Sequence, residues 1–395
     1  MKTECFAQIS SYLESQKEEM VKTLEQIVNL ESFSREPVAI EQTAKAIKTL
    51  FEAEGLECKL LPAPPNGPTL IGILGAKRKG VPILFSGHMD TVIKPGTYPK
   101  PVFRTEGGKA FGPGVLDMKG GIVIALYTIK ALNSIGYCER PIKIAFSGDE
   151  EICHKDSRGN ELLIEAARGA CCALNMETGL PDNSLCYGRK GRVETHITVH
   201  GRGSHAGNDF LHGINAISEM AEKIIRIQKL TDLEKETTVT CSVIHGGTVS
   251  NAVPAECSMD VECRFVKTEE MQRFQKGLQE ICDTSYIGDT TTETVFSSVI
   301  PPYECNEDAM RLWRFIKKTA EEYGLAEVKG KTLGGGSDAA YIQTVGVPVV
   351  CSMGIQGEWN HTTKEYALLD SLVSRCQLSA AIILELAHFE KEEAV

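Results

Sequence analysis

Apolar positions recur at helical spacing over residues 5–30 and again over 38–54, where Gly55 marks a stop. Short apolar runs then alternate with helical segments. LIGILG (70–75) and VPILFSG (81–87) predict strands, MKGGIVIALYTIKALN (118–133) a helix, and PIKIAFSG (141–148) a further strand. A helix around 159–168 leads to the strand CCALNM (171–176). Alternation of this kind predicts an α/β fold with a predominantly parallel sheet sandwiched by helices.

The pattern changes near YGRKG (187–191). VETHITVH (193–200), a helix over 213–230, TTVTCSVIHGG (237–247), AECSMDVECRF (255–265), a helix over 268–283 and TETVFSSV (292–299) follow in turn. That order is βαββαβ, the split motif of a ferredoxin-like α+β sandwich. After Pro301-Pro302 the first pattern resumes with a helix over 306–323, the strand VPVVCSMG (347–354) and a closing helix over 367–390. The expected organisation is one domain built from 1–189 and 299–395, interrupted by an inserted domain at 190–298. A chain of 395 residues accommodates both.

With 42% hydrophobic and 24% charged residues the composition is that of an ordinary globular protein. The net charge of -11 argues against a nucleic-acid partner, which requires a basic footprint. The first twenty residues contain no apolar core of a secretion signal, and no apolar run reads as long enough to span a bilayer. The 14 cysteines are scattered, with one adjacent pair at Cys171-Cys172 and no C-x-x-C. Reduced, mostly buried thiols in a cytoplasmic protein are the simplest account.

Four of the predicted strands end alike. ILFSG is followed by His88 and Asp90, which share a face because side chains two apart in an extended chain point the same way. IAFSGD is followed by Glu150 and Glu151, ALNM by Glu177, and VPVVCSMG leads through a short loop to His361. In an open parallel sheet, functional groups gather outside the carboxyl ends of the strands. A fifth group, Asp117, stands in the loop FGPGVLDMKGG before a helix. Alone, Asp117 reads as a helix cap and Glu150-Glu151 as a solvated turn. Together, this many carboxylates at one sheet edge would repel strongly without a cation. A pair of divalent ions resolves the conflict, and mixed imidazole and carboxylate ligands suit zinc, with cobalt or manganese as substitutes.

GHMDTV, GPGVLDMKGG, SGDEE, NMETG and NHTTKEY resemble, in order, the motifs of the co-catalytic zinc exopeptidase family. That family includes glutamate carboxypeptidase, aminoacylase, acetylornithine deacetylase and succinyl-diaminopimelate desuccinylase. The resemblance runs from about residue 80 to 366 and is nearest the glutamate carboxypeptidase branch, through GRGSHAG (201–207), GGTVSNAVPAE (246–256) and GGGSDAAY (334–341). It implies two zinc ions per subunit: Asp117 bridging them, His88 and Glu177 completing one site, Glu151 and His361 the other. It makes Asp90 the partner that fixes the His88 tautomer, and Glu150 the base acting on water. A cis peptide at Asp117-Met118 is also implied.

For the inserted domain, the resemblance implies a lid that joins two subunits, with His205 reaching into the partner's active site to stabilise an oxyanion. Arg264 and Asn251 would grip a substrate carboxylate, helped by the backbone of Gly334, Gly335, Gly336 and Ser337. The expected substrate is a small peptide or an N-acyl amino acid. A dipeptidase or deacetylase of the same family is the alternative activity, and a non-catalytic binding protein a remote one. LGGGSDAA lacks the Lys-Ser/Thr of a phosphate loop, which argues against a nucleotide kinase. No role is expected for His154, His196, His200, His212, His245 or His388.

Overall fold

The computed structural model describes residues 2–391 and divides them into two compact units. One unit comprises the chain up to Gly188, Cys305–Leu333 and the chain from Ser337 onward; the other comprises Arg189–Glu304 with Gly334–Gly336.

In the first unit, β1 (Glu57–Leu61), β2 (Thr69–Leu74), β3 (Ile83–His88), β4 (Ile142–Ser147), β5 (Cys172–Asn175) and the short strand Val349–Val350 form a six-stranded sheet. The strand order is β1-β2-β4-β3-β5, and the short strand lies at the far edge, next to β5. β3 runs parallel to both β4 and β5, and the short strand Val349–Val350 runs parallel to β5. β2 runs antiparallel to both its neighbours. Every residue of β3 and β5 is buried, the signature of strands covered on both faces. Helices α1 (Lys2–Ser15), α2 (Lys17–Val28), α3 (Pro37–Glu52), α4 (Gly120–Ser134) and α5 (Gly159–Ala167) supply the cover, with Glu307–Glu322 and Asp370–Lys391.

Register sets the functional edge. His88, the last residue of β3, lies beside Ser147, the last of β4, and Ser86 lies beside Asn175, the last of β5. Three strands therefore stop nearly level with one another, and the residues just beyond them must meet. Two close approaches hold the Asp117 loop there. A Cβ at Gly87 would fall 2.3 Å from the Met118 thioether, and one at Gly121 would fall 2.0 Å from the Met176 carbonyl oxygen. Only glycine permits the helix start to sit this close to the strand ends.

Several elements differ from the sequence expectation. The helix over 5–30 is two helices parted at Gln16, where the Ser15 hydroxyl donates to the Tyr12 carbonyl and competes with the helical bond. Strand 347–354 is reduced to Val349–Val350. The helix expected from 118 starts irregularly: Asp117 and Met118 leave helical geometry, and their peptide bond is cis. Among the described residues one helix, Asp370–Glu390, is long and apolar enough to cross a membrane, contrary to the expectation, and most of it is buried within the protein. A small sheet of Arg104–Glu106, Lys109–Phe111, Tyr366–Leu368 and Gly357–Glu358 was not anticipated, because strands of two or three residues carry no alternation to read.

The second unit contains β6 (Gly191–His200), α6 (Ala216–Gln228), β7 (Thr238–Gly246), β8 (Glu256–Phe265), α7 (Thr268–Asp283) and β9 (Thr291–Ile300). Its sheet is antiparallel throughout in the order β7-β8-β6-β9, the ferredoxin-like arrangement. Alternate residues of β6 and β8, among them Val193, Ile197, Val199, Met259, Val261 and Phe265, pack against Met220, Ile227, Phe274 and Leu278 of the two helices. Lys223 and Glu219 on α6 form an ion pair at 3.0 Å with neither side chain exposed. Lys223 Nζ also donates to the carbonyls of Ile281, Cys282 and Thr284, closing the C-terminal end of α7.

Candidate metal centre

The chain brings His88, Asp117 and Glu177 into one group, and Asp117, Glu151 and His361 into another, with the potential ligand atoms of each group within 4.8 Å of one another. Asp117 belongs to both. Its Oδ1 lies 3.2 Å from His88 Nε2 and its Oδ2 lies 3.1 Å from His361 Nε2. Glu177 Oε1 is 3.4 Å from His88 Nε2, and Glu151 Oε2 is 3.2 Å from His361 Nε2.

Each side chain is aimed by its local structure. His88 Nδ1 donates toward the Asp90 carbonyl at 3.0 Å and faces Asp90 Oδ1 at 3.3 Å, which leaves Nε2 turned to Asp117 and Glu177. The two oxygens of Asp90 in turn accept the backbone N–H groups of Glu150 and Glu151, each at 3.2 Å. One fully buried carboxylate thus orients a histidine from β3 and the acidic turn after β4.

The electrostatics are those of a crowded acidic site. Burial raises the pKa of Glu151 to about 7, helped by the charge of Asp117. Burial also pushes Glu150 well above its usual range, with the charge of Glu177 adding to it, although part of the residue's surface stays open. Burial acts to raise Asp117 too, but bonds to His361 and His88 outweigh it and hold that carboxyl well below normal. His361 is driven up to about 11 by its bonds to Asp117 and Glu151. Burial works against protonating His88, yet Asp117, Asp90 and Glu177 leave it well above its ordinary value.

Metal ions would take over the role these two protons play. Glu151 Oε1 is buried without a hydrogen-bond partner, an oxygen that a cation would satisfy. Two imidazole nitrogens and three carboxylates, one of them facing both groups, form a donor set suited to a pair of divalent ions.

Two further contacts to Asp117 escaped the sequence reading. Asn360 Nδ2 donates to Asp117 Oδ2 at 2.9 Å. Glu365 Oε1 accepts the N–H groups of Leu116 and Asp117 at 2.9 and 3.0 Å, and Oε2 accepts that of Gly114 at 3.3 Å. Glu365 is buried, and its pKa is pushed up to about 8 by burial and by the charge of Asp117. Both residues belong to the stretch from Trp359 to Glu365, but their partners are backbone groups and a side chain some 250 positions away, which no spacing rule announces.

The remaining named residues stand in other surroundings. His205 Nδ1 accepts the N–H groups of Gly207 and Asn208 at 3.1 and 3.0 Å, so its proton resides on the exposed Nε2. Asn251 is exposed, and its carbonyl accepts the N–H of Ala206 at 2.9 Å. Arg264 is engaged with Glu262 through Nε at 2.8 Å and Nη2 at 3.2 Å. A Cβ added at Gly334 would meet no atom within 4 Å, whereas the Gly336 carbonyl accepts from Arg189 at 3.2 Å. Ser337 is buried, its hydroxyl donating to Asn175 Oδ1 at 3.4 Å. His196 and His200 face separate carboxylates, Asp260 for the first and Glu256 and Glu293 for the second.

Over 374 residues the chain is 29% identical to carboxypeptidase G2 of Pseudomonas sp. (strain RS-16), covering 93% of this chain and 89% of that one. Its fold matches aminopeptidase PepT from Bacillus cereus with a TM-score of 0.78 at 22% identity, covering 94% and 99% of the two chains. It also matches the Bacillus subtilis YXEP protein, described as a dinuclear metal binding peptidase, with a TM-score of 0.69 at 16% identity, covering 95% and 99%. Residues 84–385 match the pattern of the family described as Peptidase family M20/M25/M40, a span that contains every residue of both groups. The chain is a hydrolytic enzyme belonging to that family.

Proposed function

We propose that this protein binds two zinc ions per subunit and cleaves an amide bond next to a free carboxylate, as a carboxypeptidase or N-acyl-amino-acid hydrolase of the glutamate carboxypeptidase kind. The observation that carries the reading is the pair of ligand groups sharing Asp117, with Glu150 on the same turn as Glu151. Likeness to carboxypeptidase G2 over most of both chains supports the carboxypeptidase form. Cobalt or manganese would substitute for zinc in such a donor set. The scattered cysteines, with no C-x-x-C among them, are in keeping with a reducing, cytoplasmic setting.

His88, Asp117 and Glu177 would hold one ion, and Asp117, Glu151 and His361 the other. Bound there, the ions supply Lewis acidity toward the scissile carbonyl and acidify water. The chain's own groups do the rest. Glu150 removes a proton from the attacking water and returns it to the departing amine, a role favoured by a carboxyl whose pKa is raised by burial. Asp90 keeps His88 in the tautomer that presents Nε2.

Because Gly207 and Asn208 occupy Nδ1 of His205, its Nε2–H is a ready donor for a developing oxyanion, supplied to the partner subunit in a homodimer formed through residues 190–298. Arg264 and Asn251, with the backbone of Gly334, Gly335, Gly336 and Ser337, receive the substrate carboxylate. For Arg264 this means exchanging Glu262 for substrate, or using Nη1, which faces the Gly334 carbonyl at 3.5 Å. The test is Glu150→Gln assayed on a panel of N-acyl amino acids and dipeptides with zinc restored. The variant should keep wild-type zinc content and lose roughly a hundredfold to ten-thousandfold in kcat. Wild-type turnover in that variant would rule the assignment out.

A further inference from the structure

The turn that carries Glu150 and Glu151 is closed by a histidine that the reaction above does not use. His154 is buried, and its ring is held from both sides: Nδ1 lies 2.7 Å from Asp149 Oδ1, and Nε2 lies 2.7 Å from Asp338 Oδ1. The backbone N–H of His154 also donates to the Asp149 carbonyl at 2.9 Å, and that of Cys153 to the Glu150 carbonyl at 2.6 Å. Both residues adopt the left-handed backbone region, with φ of 57° at Cys153 and 53° at His154. Side-chain-bearing residues persist there only when their surroundings hold them.

Those surroundings are built to hold. The second oxygen of Asp149 accepts from Asn66 Nδ2 at 3.0 Å and from the Ser157 hydroxyl. The second oxygen of Asp338 accepts from the hydroxyl of Ser147, the last residue of β4, at 2.9 Å. Helix α5 begins directly against the His154–Asp149 contact: a Cβ on Gly159 would fall 2.3 Å from Asp149 Oδ1 and 2.5 Å from His154 Nδ1. The Tyr341 ring stands edge-on to the imidazole at 5.4 Å. A neutral imidazole donates only once, so serving two carboxylates at 2.7 Å requires both nitrogens to be protonated. Burial opposes that charge, but Asp338 and Asp149 outweigh it. The carboxylates occupy opposite edges of the ring, and among the described residues this trio is not a group whose atoms converge on one ion.

We propose that His154 is a positioning residue: by bridging Asp149 and Asp338 it locks the acidic turn after β4 and so fixes where Glu150 and Glu151 stand. The neighbouring Ser337 reaches Asn175, two residues before Glu177, so one dipeptide braces the exits of both β4 and β5. This rests on the hydrolytic roles given to Glu150 and Glu151.

The experiment compares zinc-loaded wild type, His154→Gln and Asp338→Asn on one substrate of the panel, with zinc content and melting temperature measured on the same samples. His154→Gln should lower kcat about 10–100-fold with KM changed less than about threefold and zinc content intact, as expected for a residue that orients catalytic groups. Asp338→Asn, which keeps its size and can still accept one bond, should lower kcat about tenfold in the same pattern and carries the test if the first variant does not fold. A lower melting temperature with unchanged kcat in either folded variant would reduce His154 to a structural contact and overturn the proposal. Zinc-loaded wild type that hydrolyses nothing would instead refute the hydrolase reading itself, and this proposal with it.

Discussion

Loading the centre with zinc should expel about two protons per chain at pH 8 and about half a proton more at pH 7. In the metal-free chain the carboxylates around His88 and His361 hold both rings protonated, His361 with a pKa of about 11 and His88 well above its ordinary value. Water at the half-exposed edge of His361 weakens its pairing, yet the ring still carries its proton at pH 7. Zinc needs both nitrogens neutral, so each ring must release a proton. Glu151, at about 7, adds roughly half a proton more at pH 7 and little at pH 8. A raised histidine pKa favours the metal-free, protonated form below that pKa, so zinc affinity rises with pH until the rings titrate. Each displaced proton is worth about 1.4 kcal/mol, or tenfold, per pH unit, so two give about a hundredfold per unit on the combined affinity for two ions. Calorimetric titration with zinc in buffers of different ionisation enthalpy counts the protons. Release of fewer than about one proton per chain would show that the two imidazoles are not the groups the metals displace.

Glu365→Gln should weaken zinc binding about 10–100-fold while leaving the unfolding midpoint nearly unchanged, since the carboxylate acts by holding the N–H groups around Asp117; unchanged affinity would exclude that role. Lys223→Met should destabilise the second unit by about 3–5 kcal/mol in denaturant unfolding, because it strands Glu219 without its buried cation. A loss below about 1 kcal/mol would show that the N–H groups of Tyr286 and Ile287 hold the Glu219 side chain without Lys223. If His205 serves the partner's site, mixing His205→Ala with Glu150→Gln subunits should restore up to about a quarter of wild-type activity after exchange. Exchanged mixtures that stay inactive would place His205 in its own subunit's site or outside catalysis.

What could be read in the sequence and what could not divide along a physical line. His88, Glu151 and Glu177 were legible as candidates because each stands at or just past an apolar strand that ends abruptly, and a parallel sheet brings such ends to one edge. Asp117 was legible only jointly, since an acid before a helix is commonplace until four other groups compete for the same space. Glu365 and His154 were missed for a different reason. They act on backbone N–H groups or on carboxylates in distant segments, and neither their spacing nor their residue type predicts those partners. Arg264 carries a signal of its own in the sequence. Glu262 lies two residues earlier on the same strand, therefore on the same face, and an arginine with a carboxylate at that spacing has a partner before any substrate arrives.

Register is where these observations join. His88 stands level with Ser147 because β3 and β4 pair in one alignment, and the partner of Ser147 across its hydroxyl is Asp338, which also grips His154. A slip of one residue between these strands would turn His88 to the other face and part it from both Asp117 and Glu177. The buried apolar residues of β3 forbid that slip, since it would drive Leu84 and Phe85 into each other's places between the two covering layers. The geometry of the centre is therefore set first by the apolar residues of the strands, and only then refined by Asp90, Glu365 and His154.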